Sequence, residues 1–299
     1  MRLDDLDPSR NTRDHGRGGG GSRFGGGGRG LGGLLGLLPM LLGRKMGLGT
    51  IIIIAIIGYF LFSSGGLQLG DVAPSGSTDQ SAGAQQACDT ETELFACRVL
   101  TSTEQTWTTL FQQNGSQYAV PTLHFYEGGT RSGCGQAAAA MGPFYCPADQ
   151  GIYLDTTFFR QMEREMGAGG DFAQAYVIAH EVGHHIQYLT GVARDVRSQQ
   201  QRVSAGEGNA LQVRMELQAD CYAGVWAARN RDRMEPGDME EGMRAANAIG
   251  DDTLQRQAQG YTVPESFTHG TSEQRMRWLR RGLESGDPQA CDTFNARQL

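Results

Sequence analysis

One stretch of this chain limits its fold and its chemistry more than any other: residues 175–187, Ala-Tyr-Val-Ile-Ala-His-Glu-Val-Gly-His-His-Ile-Gln. His180 and His184 are four positions apart, so on a helix both imidazoles lie on one face and can reach the same ion. Glu181 follows the first histidine and can contact a water molecule beside that ion. The alternative, two core histidines beside a chance glutamate, requires a coincidence in a chain with 6 histidines. The H-E-x-x-H spacing is typical of zinc hydrolases and predicts two ligands and a general base.

A catalytic zinc site needs a third protein ligand and one open position. A metzincin would place a third histidine six positions after His184, where this chain has Thr190, so that class is excluded. Glu216 and Asp220 are four apart on a predicted helix, and Ala219 between them would permit close packing on the first helix. We predict Glu216 as the third ligand and Asp220 as the acceptor for the second nitrogen of a ligand histidine. The alternative is a solvated, charged helix face.

The charge of the chain is unevenly distributed. The formal net charge is −7, yet residues 1–46 carry eight Arg or Lys against four Asp, so the rest of the chain holds −11. An acidic main domain argues against nucleic acid as a partner. The 44 glycines are about twice the ordinary usage and concentrate near the N-terminus.

The cysteines all follow residue 87, and their number is even: Cys88, Cys97, Cys134, Cys146, Cys221 and Cys291. This pattern predicts disulfides and an oxidising compartment. Cys134 and Cys146 are the favoured pair because they would close a short loop. Free buried thiols are the alternative.

The composition along the chain predicts four consecutive regions. Residues 1–45 are rich in Gly and Arg and predict a disordered cytoplasmic tail. Residues 46–62 are uncharged and apolar and predict a single transmembrane helix, retained rather than cleaved as a signal peptide. Residues 63–86 predict a flexible linker, and residues 87–299 one folded domain. The positive-inside rule then places this domain on the periplasmic or extracellular side of the cytoplasmic membrane.

Beyond residue 87 the patterns predict a mainly helical α+β fold with a small sheet. We predict helices over 91–113, 156–166, 171–190, 209–233, 234–259 and 272–284, and strands over 122–126 and 151–155. The strand at 151–155 is expected to run beside the 171–190 helix and to pair with an extended peptide substrate. His124 is interpreted as a sheet histidine and His185 as a structural one.

Together, His180-Glu-Val-Gly-His184 and Glu216-x-x-Ala-Asp220 resemble the gluzincin proteases, particularly the membrane-anchored group that includes the CAAX-type and heat-shock membrane proteases. A closer resemblance is to the bacterial "putative neutral zinc metallopeptidase" (YpfJ-like) family. It is carried by the H-E-x-x-H motif and by residues 17–33, 46–62, Gly142–Pro147 and Thr268–Arg275. The resemblance spans essentially the whole chain. It implies a zincin-like (gluzincin) metalloprotease domain that binds one Zn²⁺ and acts on a peptide or protein substrate.

The resemblance to the anchored gluzincins also implies roles for two late residues. His269 is the candidate donor to the oxyanion of the transition state, and Arg275 is expected to brace the carboxylates. The alternative for both is a capped helix start followed by a surface arginine.

The expected activity is that of a membrane-anchored zinc endopeptidase. Zinc would lower the pKa of its bound water, and Glu181 would take that proton and return it to the leaving amine. A zinc-binding scaffold or regulatory protein without turnover is the alternative from another class, and a hydrolase of non-peptide amides is a third.

Overall fold

The computed structural model describes residues 1–17 and 87–299. The eight α-helices of this part of the chain are α1 (Glu91–Gln113), α2 (Thr157–Met166), α3 (Asp171–Leu189), α4 (Val192–Gln200), α5 (Ala205–Arg229), α6 (Asp238–Ala248), α7 (Asp251–Gln259) and α8 (Ser272–Ser285). Its strands are β1 (Thr12–Arg17), β2 (Thr122–Glu127), β3 (Gly129–Ser132), β4 (Gly135–Ala138), β5 (Phe144–Cys146) and β6 (Gly151–Asp155). The predicted mainly helical α+β fold with a small sheet is therefore confirmed.

The main sheet has the strand order β1-β2-β6-β5, and only β5 runs antiparallel to its neighbour. Side chains alternate across it, as the period of a strand requires. Leu123 and Ile152 face the helical core, whereas Tyr126 and Tyr153 face a smaller cluster on the other side. The β3–β4 hairpin is a separate two-stranded sheet.

Strand β6 has hydrogen-bonded neighbours on both sides, β2 and β5. Its backbone groups are therefore already used, and the prediction that residues 151–155 pair with a substrate is wrong. The antiparallel strand β5 lies at the edge instead. Its Tyr145 packs on the α3 side of the sheet, against the ring of His185.

Helix α3 packs on α5, and α5 packs on α8. The first contact is close because a Cβ atom at Gly183 would lie 2.9 Å from Cα of Ala219. No side chain larger than hydrogen fits at Gly183 without displacing the α5 backbone. The small residues thus bring the face that carries His180 and His184 against the face that carries Glu216.

The predicted helix over 234–259 is two helices, α6 and α7, separated at Gly250. A Cβ atom at Gly250 would lie 2.4 to 2.6 Å from the backbone and hydroxyl of Ser272, so the α6–α7 junction touches the start of α8 directly. The prediction of one continuous helix is therefore wrong: the chain breaks at Gly250, where it packs against the start of α8.

Residues 1–17 form part of the folded body, which differs from the disordered tail predicted over residues 1–45. Met1, Leu3 and Leu6 are buried in the main core. The Met1 ammonium lies 2.7 Å from the Asp171 carboxylate at the start of α3 and 3.1 Å from Asp238 at the start of α6. Strand β1 then pairs in parallel with β2.

The predicted cellular location is wrong. Within residues 1–17 and 87–299, no helix is both long enough and apolar enough to cross a bilayer. The predicted span at 46–62 and the linker at 63–86 lie outside the described residues.

Three disulfides join all six cysteines: Cys88–Cys97, Cys134–Cys146 and Cys221–Cys291. The predicted Cys134–Cys146 pair is confirmed, and it ties the β3–β4 hairpin to β5. Cys221–Cys291 connects α5 to a 3₁₀ turn at Pro288–Cys291 near the C-terminus.

Candidate metal centre

Three side chains from α3 and α5 converge at the contact between these helices. Nε2 of His180 is 3.2 Å from Oε2 of Glu216, and Nε2 of His184 is 3.4 Å from the same oxygen. One atom from each residue lies within 4.8 Å of the other two. Glu216 is 4% exposed and His180 7%, whereas the His184 side chain is 15% exposed, so the cluster is buried but open to solvent on the His184 side.

The second nitrogen of each histidine has its own partner. Nδ1 of His180 is 2.8 Å from Oδ1 of Asp220, and Nδ1 of His184 is 2.9 Å from Oε1 of Gln187. An ionised carboxylate only accepts hydrogen bonds, so His180 donates through Nδ1, and in the neutral ring Nε2 carries the lone pair. That lone pair faces Glu216, which is another electron-pair donor.

This donor set fits a divalent cation. Two imidazole nitrogens and one carboxylate oxygen are ligands that zinc prefers, and three protein ligands leave a coordination position open. Without a cation, lone pairs would face one another in a buried site, where only added protons could relieve the repulsion.

The electrostatics of the cluster are those of a cation site. Burial opposes a charge on His184, but the Glu216 carboxylate, together with Glu181 and the Gln187 hydrogen bond, raises the pKa of His184 to about 9. The pKa of His180 is also raised: burial opposes this change, and Asp220 produces it. Burial favours the neutral form of Glu216, yet the His184 charge holds the pKa of Glu216 well below its usual range. The carboxylates therefore stabilise positive charge among the histidines.

Asp220 anchors a buried network behind His180. Its Oδ1 accepts hydrogen bonds from the Tyr176 hydroxyl at 2.6 Å and from Nη2 of Arg275 at 2.8 Å. Nε of Arg275 donates to the other oxygen at 2.9 Å. Arg275 is 2% exposed, so it is not the surface arginine of the alternative interpretation. It braces the carboxylate that orients His180.

Glu181 and His269 lie close to this cluster. Glu181 is 7% exposed, and its charge is among those that raise the pKa of His184. Burial lowers the pKa of His269, but the Glu216 and Asp251 carboxylates together outweigh burial and raise it. The structure therefore brings all seven predicted site residues, from three separate helices and one loop, into one region.

Asp251 holds the loop that carries His269. Its Oδ2 accepts the backbone N–H groups of Thr268, His269 and Gly270 at 2.7, 2.6 and 3.1 Å. Its Oδ1 is 3.5 Å from Nδ1 of the His269 ring. One carboxylate at the start of α7 thus holds the loop backbone and lies beside the ring, whose Nδ1 is also 3.1 Å from the Thr268 hydroxyl.

Sequence reasoning missed three residues of the site: Tyr176, Gln187 and Asp251. The first two carry a signal, since Tyr176 is four positions before His180 and Gln187 three positions after His184 on the same helix. Asp251 carries none, because its partners are 17 to 19 positions away. His185 is structural, as expected: its Nε2 is 2.6 Å from the Ala119 carbonyl and its Nδ1 2.9 Å from the Tyr145 hydroxyl.

One further cluster among the described residues has ligand-like geometry: Asp171, Asp238 and Glu241. The Met1 ammonium already bonds to the first two carboxylates. This cluster has its cation within the chain.

The fold is mainly helical, and the cluster of His180, His184 and Glu216 is suited to a metal ion, with the buried Glu181 on the same helix as the two histidines. A family model described as "putative neutral zinc metallopeptidase" matches residues 1–294, and the chain belongs to this family.

Among its relatives is the uncharacterized protein YpfJ of Escherichia coli strain K12. It is 48% identical over 252 residues, which cover 84% of this chain and 87% of the relative. The uncharacterized protein Mb2605 of Mycobacterium bovis is 44% identical over 196 residues, which cover 61% of this chain and 65% of the relative. No solved structure matches the chain.

Proposed function

We propose that this protein is a zinc-dependent endopeptidase with a zincin-like domain of the gluzincin type. The observation that carries the proposal is the convergence of His180, His184 and Glu216 around a shared point. Glu181 lies on α3, the helix that also carries the two histidines. Membership in a zinc metallopeptidase family supports it. His180, His184 and Glu216 would hold the ion.

When bound, zinc would supply Lewis acidity, which makes a water molecule more acidic and polarises the carbonyl of the scissile peptide bond. Glu181 accepts the proton of the attacking water, and it then gives that proton to the amide nitrogen as the C–N bond breaks. His269 donates a hydrogen bond to the oxygen that becomes negative. Asp251 keeps the His269 loop in place for this step.

The role of Glu181 has a direct test. Glu181→Gln keeps the size of the side chain but removes the base, so cleavage of a peptide library should fall about 10²- to 10⁴-fold. The zinc content should not change. His269→Phe should lower kcat with the same zinc content, and the exposed Glu240→Gln should behave like wild type.

Wild-type turnover by a zinc-loaded Glu181→Gln variant would reject the mechanism. A zinc-loaded wild-type protein that cleaves no library peptide would indicate a scaffold without turnover.

Strand β5 is the proposed docking edge for the substrate backbone. Among the described residues it has a strand partner on one side only, and its Tyr145 packs against α3 through His185. An extended peptide could add a strand there through main-chain hydrogen bonds.

Peptides methylated at single backbone nitrogens test the docking edge. Methylation at alternate positions near the scissile bond should lower kcat/KM, because alternate N–H groups face a neighbouring strand. A uniform response to methylation at every position would contradict docking by strand addition.

A further inference from the structure

Gln187 lies between the metal-ligating histidine His184 and the backbone of α5. Its Oε1 is 2.9 Å from Nδ1 of His184, while its Nε2 is 2.7 Å from the Met215 carbonyl and 3.1 Å from Oε1 of Gln218. Gln187 is 0% exposed, so no solvent competes for these groups. Every polar atom of this amide therefore has a protein partner.

The direction of the Gln187 amide follows from its neighbours. A backbone carbonyl only accepts hydrogen bonds, so the NH₂ group of Gln187 must face Met215. The contacts of Gln218 independently indicate the same orientation of the Gln187 amide. Its own Nε2 is 3.0 Å from the Cys291 carbonyl, which leaves its oxygen to accept the second N–H of Gln187. The oxygen of Gln187 is thereby turned toward His184.

The direction of the amide determines the tautomer of His184. An amide oxygen only accepts, so Nδ1 of His184 must carry a proton, and in the neutral ring that binds a metal Nε2 carries the lone pair. Nε2 is the atom that faces Glu216 at 3.4 Å. We propose that Gln187 is a positioning residue that holds His184 in the tautomer able to bind the metal. Gln218 and the Cys291 carbonyl in turn set the direction of the Gln187 amide.

The two metal-ligating histidines therefore have different supports. His180 is oriented by the Asp220 carboxylate, whose charge is balanced by Arg275. A carboxylate at position 187 would place an acceptor against the Met215 carbonyl, so this position requires a group that accepts at one end and donates at the other. Glutamine meets that requirement. The inference rests on the proposed zinc site.

Zinc affinity of the full chain, measured by competition with a chromophoric chelator, tests the role of Gln187. Gln187→Met keeps the length of the side chain but leaves the His184 Nδ1 proton unpaired, and zinc binding should weaken about 10- to 100-fold. Gln199→Met, on the exposed face of α4, is the matched control and should bind zinc like wild type.

Two further variants separate orientation from packing. Gln187→Glu retains the acceptor, so its zinc affinity should lie closer to wild type than that of Gln187→Met, although urea should unfold it more readily. Gln218→Met leaves the Met215 carbonyl in place, so it should weaken zinc binding less than Gln187→Met. Equal losses in the two position-187 variants, or a larger loss at position 218, would overturn the proposal.

The wild-type measurement distinguishes this proposal from the proposed function. A wild-type protein that takes up no zinc would overturn both. A zinc-loaded wild type accompanied by an unaffected Gln187→Met variant would overturn only the role of Gln187.

Discussion

Two pairs of histidines in this molecule have opposite electrostatics. His180 and His184 lie among carboxylates, and the pKa of each is raised. His15 and His124 lie on the other face of the sheet, where Nε2 of His15 is 2.8 Å from Nδ1 of His124. Burial, more than any neighbouring charge, lowers the pKa of His124 to about 4. Burial lowers the pKa in both pairs, and only the pair beside carboxylates has a charge that offsets it.

The second pair belongs to a column of stacked rings, one from each strand of the main sheet. The ring centroids are 5.1 Å apart for His15–His124, 4.4 Å for His124–Tyr153 and 5.0 Å for Tyr153–Phe144. The Tyr153 hydroxyl donates to Asp149 at 2.6 Å. Stacked neutral rings need no cation, whereas the first pair and its carboxylates form a site suited to one.

The largest expected effect on stability is in the network that supports the His180–His184 pair. Arg275→Met leaves Asp220 buried without its countercharge, which should lower the free energy of unfolding by about 3–5 kcal/mol. Urea denaturation measures this change. The matched control is Arg256→Met, which breaks the exposed Arg256–Asp252 pair and should cost less than about 1 kcal/mol. Equal costs for the two variants would contradict a buried network around His180.

Removal of zinc should lower the stability that comes from the His180–His184 site and should not affect the His15–His124 pair. At free zinc about a thousandfold above the dissociation constant, bound metal adds about 4 kcal/mol to the free energy of unfolding, which chelation removes. Thermal denaturation with and without a chelator measures this loss. Wild type and a His124→Phe variant should lose the same amount, since the ring column holds no metal. If chelation destabilised the His124→Phe variant less than wild type, part of the metal-dependent stability would come from the His15–His124 pair, which would contradict the proposed site.

A smaller effect is expected from acid at the ring column. The pKa of His124 in the folded chain, about 4, lies below its unfolded value of 6.5, so the unfolded chain binds the proton more readily. The contribution of neutral His124 is therefore complete above pH 6.5 and is lost as pH falls toward 4. The slope is at most about 1.4 kcal/mol per pH unit. The groups that face this ring are His15 and Arg13, which lower its pKa further, and Asp149, which opposes them.

Urea denaturation at pH 7.5 and pH 5 measures this slope. His124→Phe keeps a ring in the column but removes the titrating group, so its stability should depend less steeply on pH in this window. Identical slopes in the variant and wild type would show that His124 does not titrate as described.

The N-terminal region shows where sequence patterns fail. Strand β1 reads Thr-Arg-Asp-His-Gly-Arg, which has no apolar alternation, and it follows a segment rich in charge. The edge position of β1 in the sheet explains why this sequence is tolerated there. Met1, Leu3 and Leu6 anchor the segment, but three apolar residues among charged ones do not predict a buried strand partner. His15 was therefore absent from every sequence-based expectation.

By itself, the sequence determined the pairs that one helix creates: His180 with His184, and Glu216 with Asp220. Helical geometry is local, so a spacing of four is enough to place two side chains on one face. Only the tertiary structure decided that these faces meet, because the approach of α3 to α5 depends on the contact between Gly183 and Ala219. It also decided the orientation of the Gln187 amide and the burial of Arg275, since their partners come from distant parts of the chain. Hydrogen-bond direction between distant residues has no local pattern in a sequence.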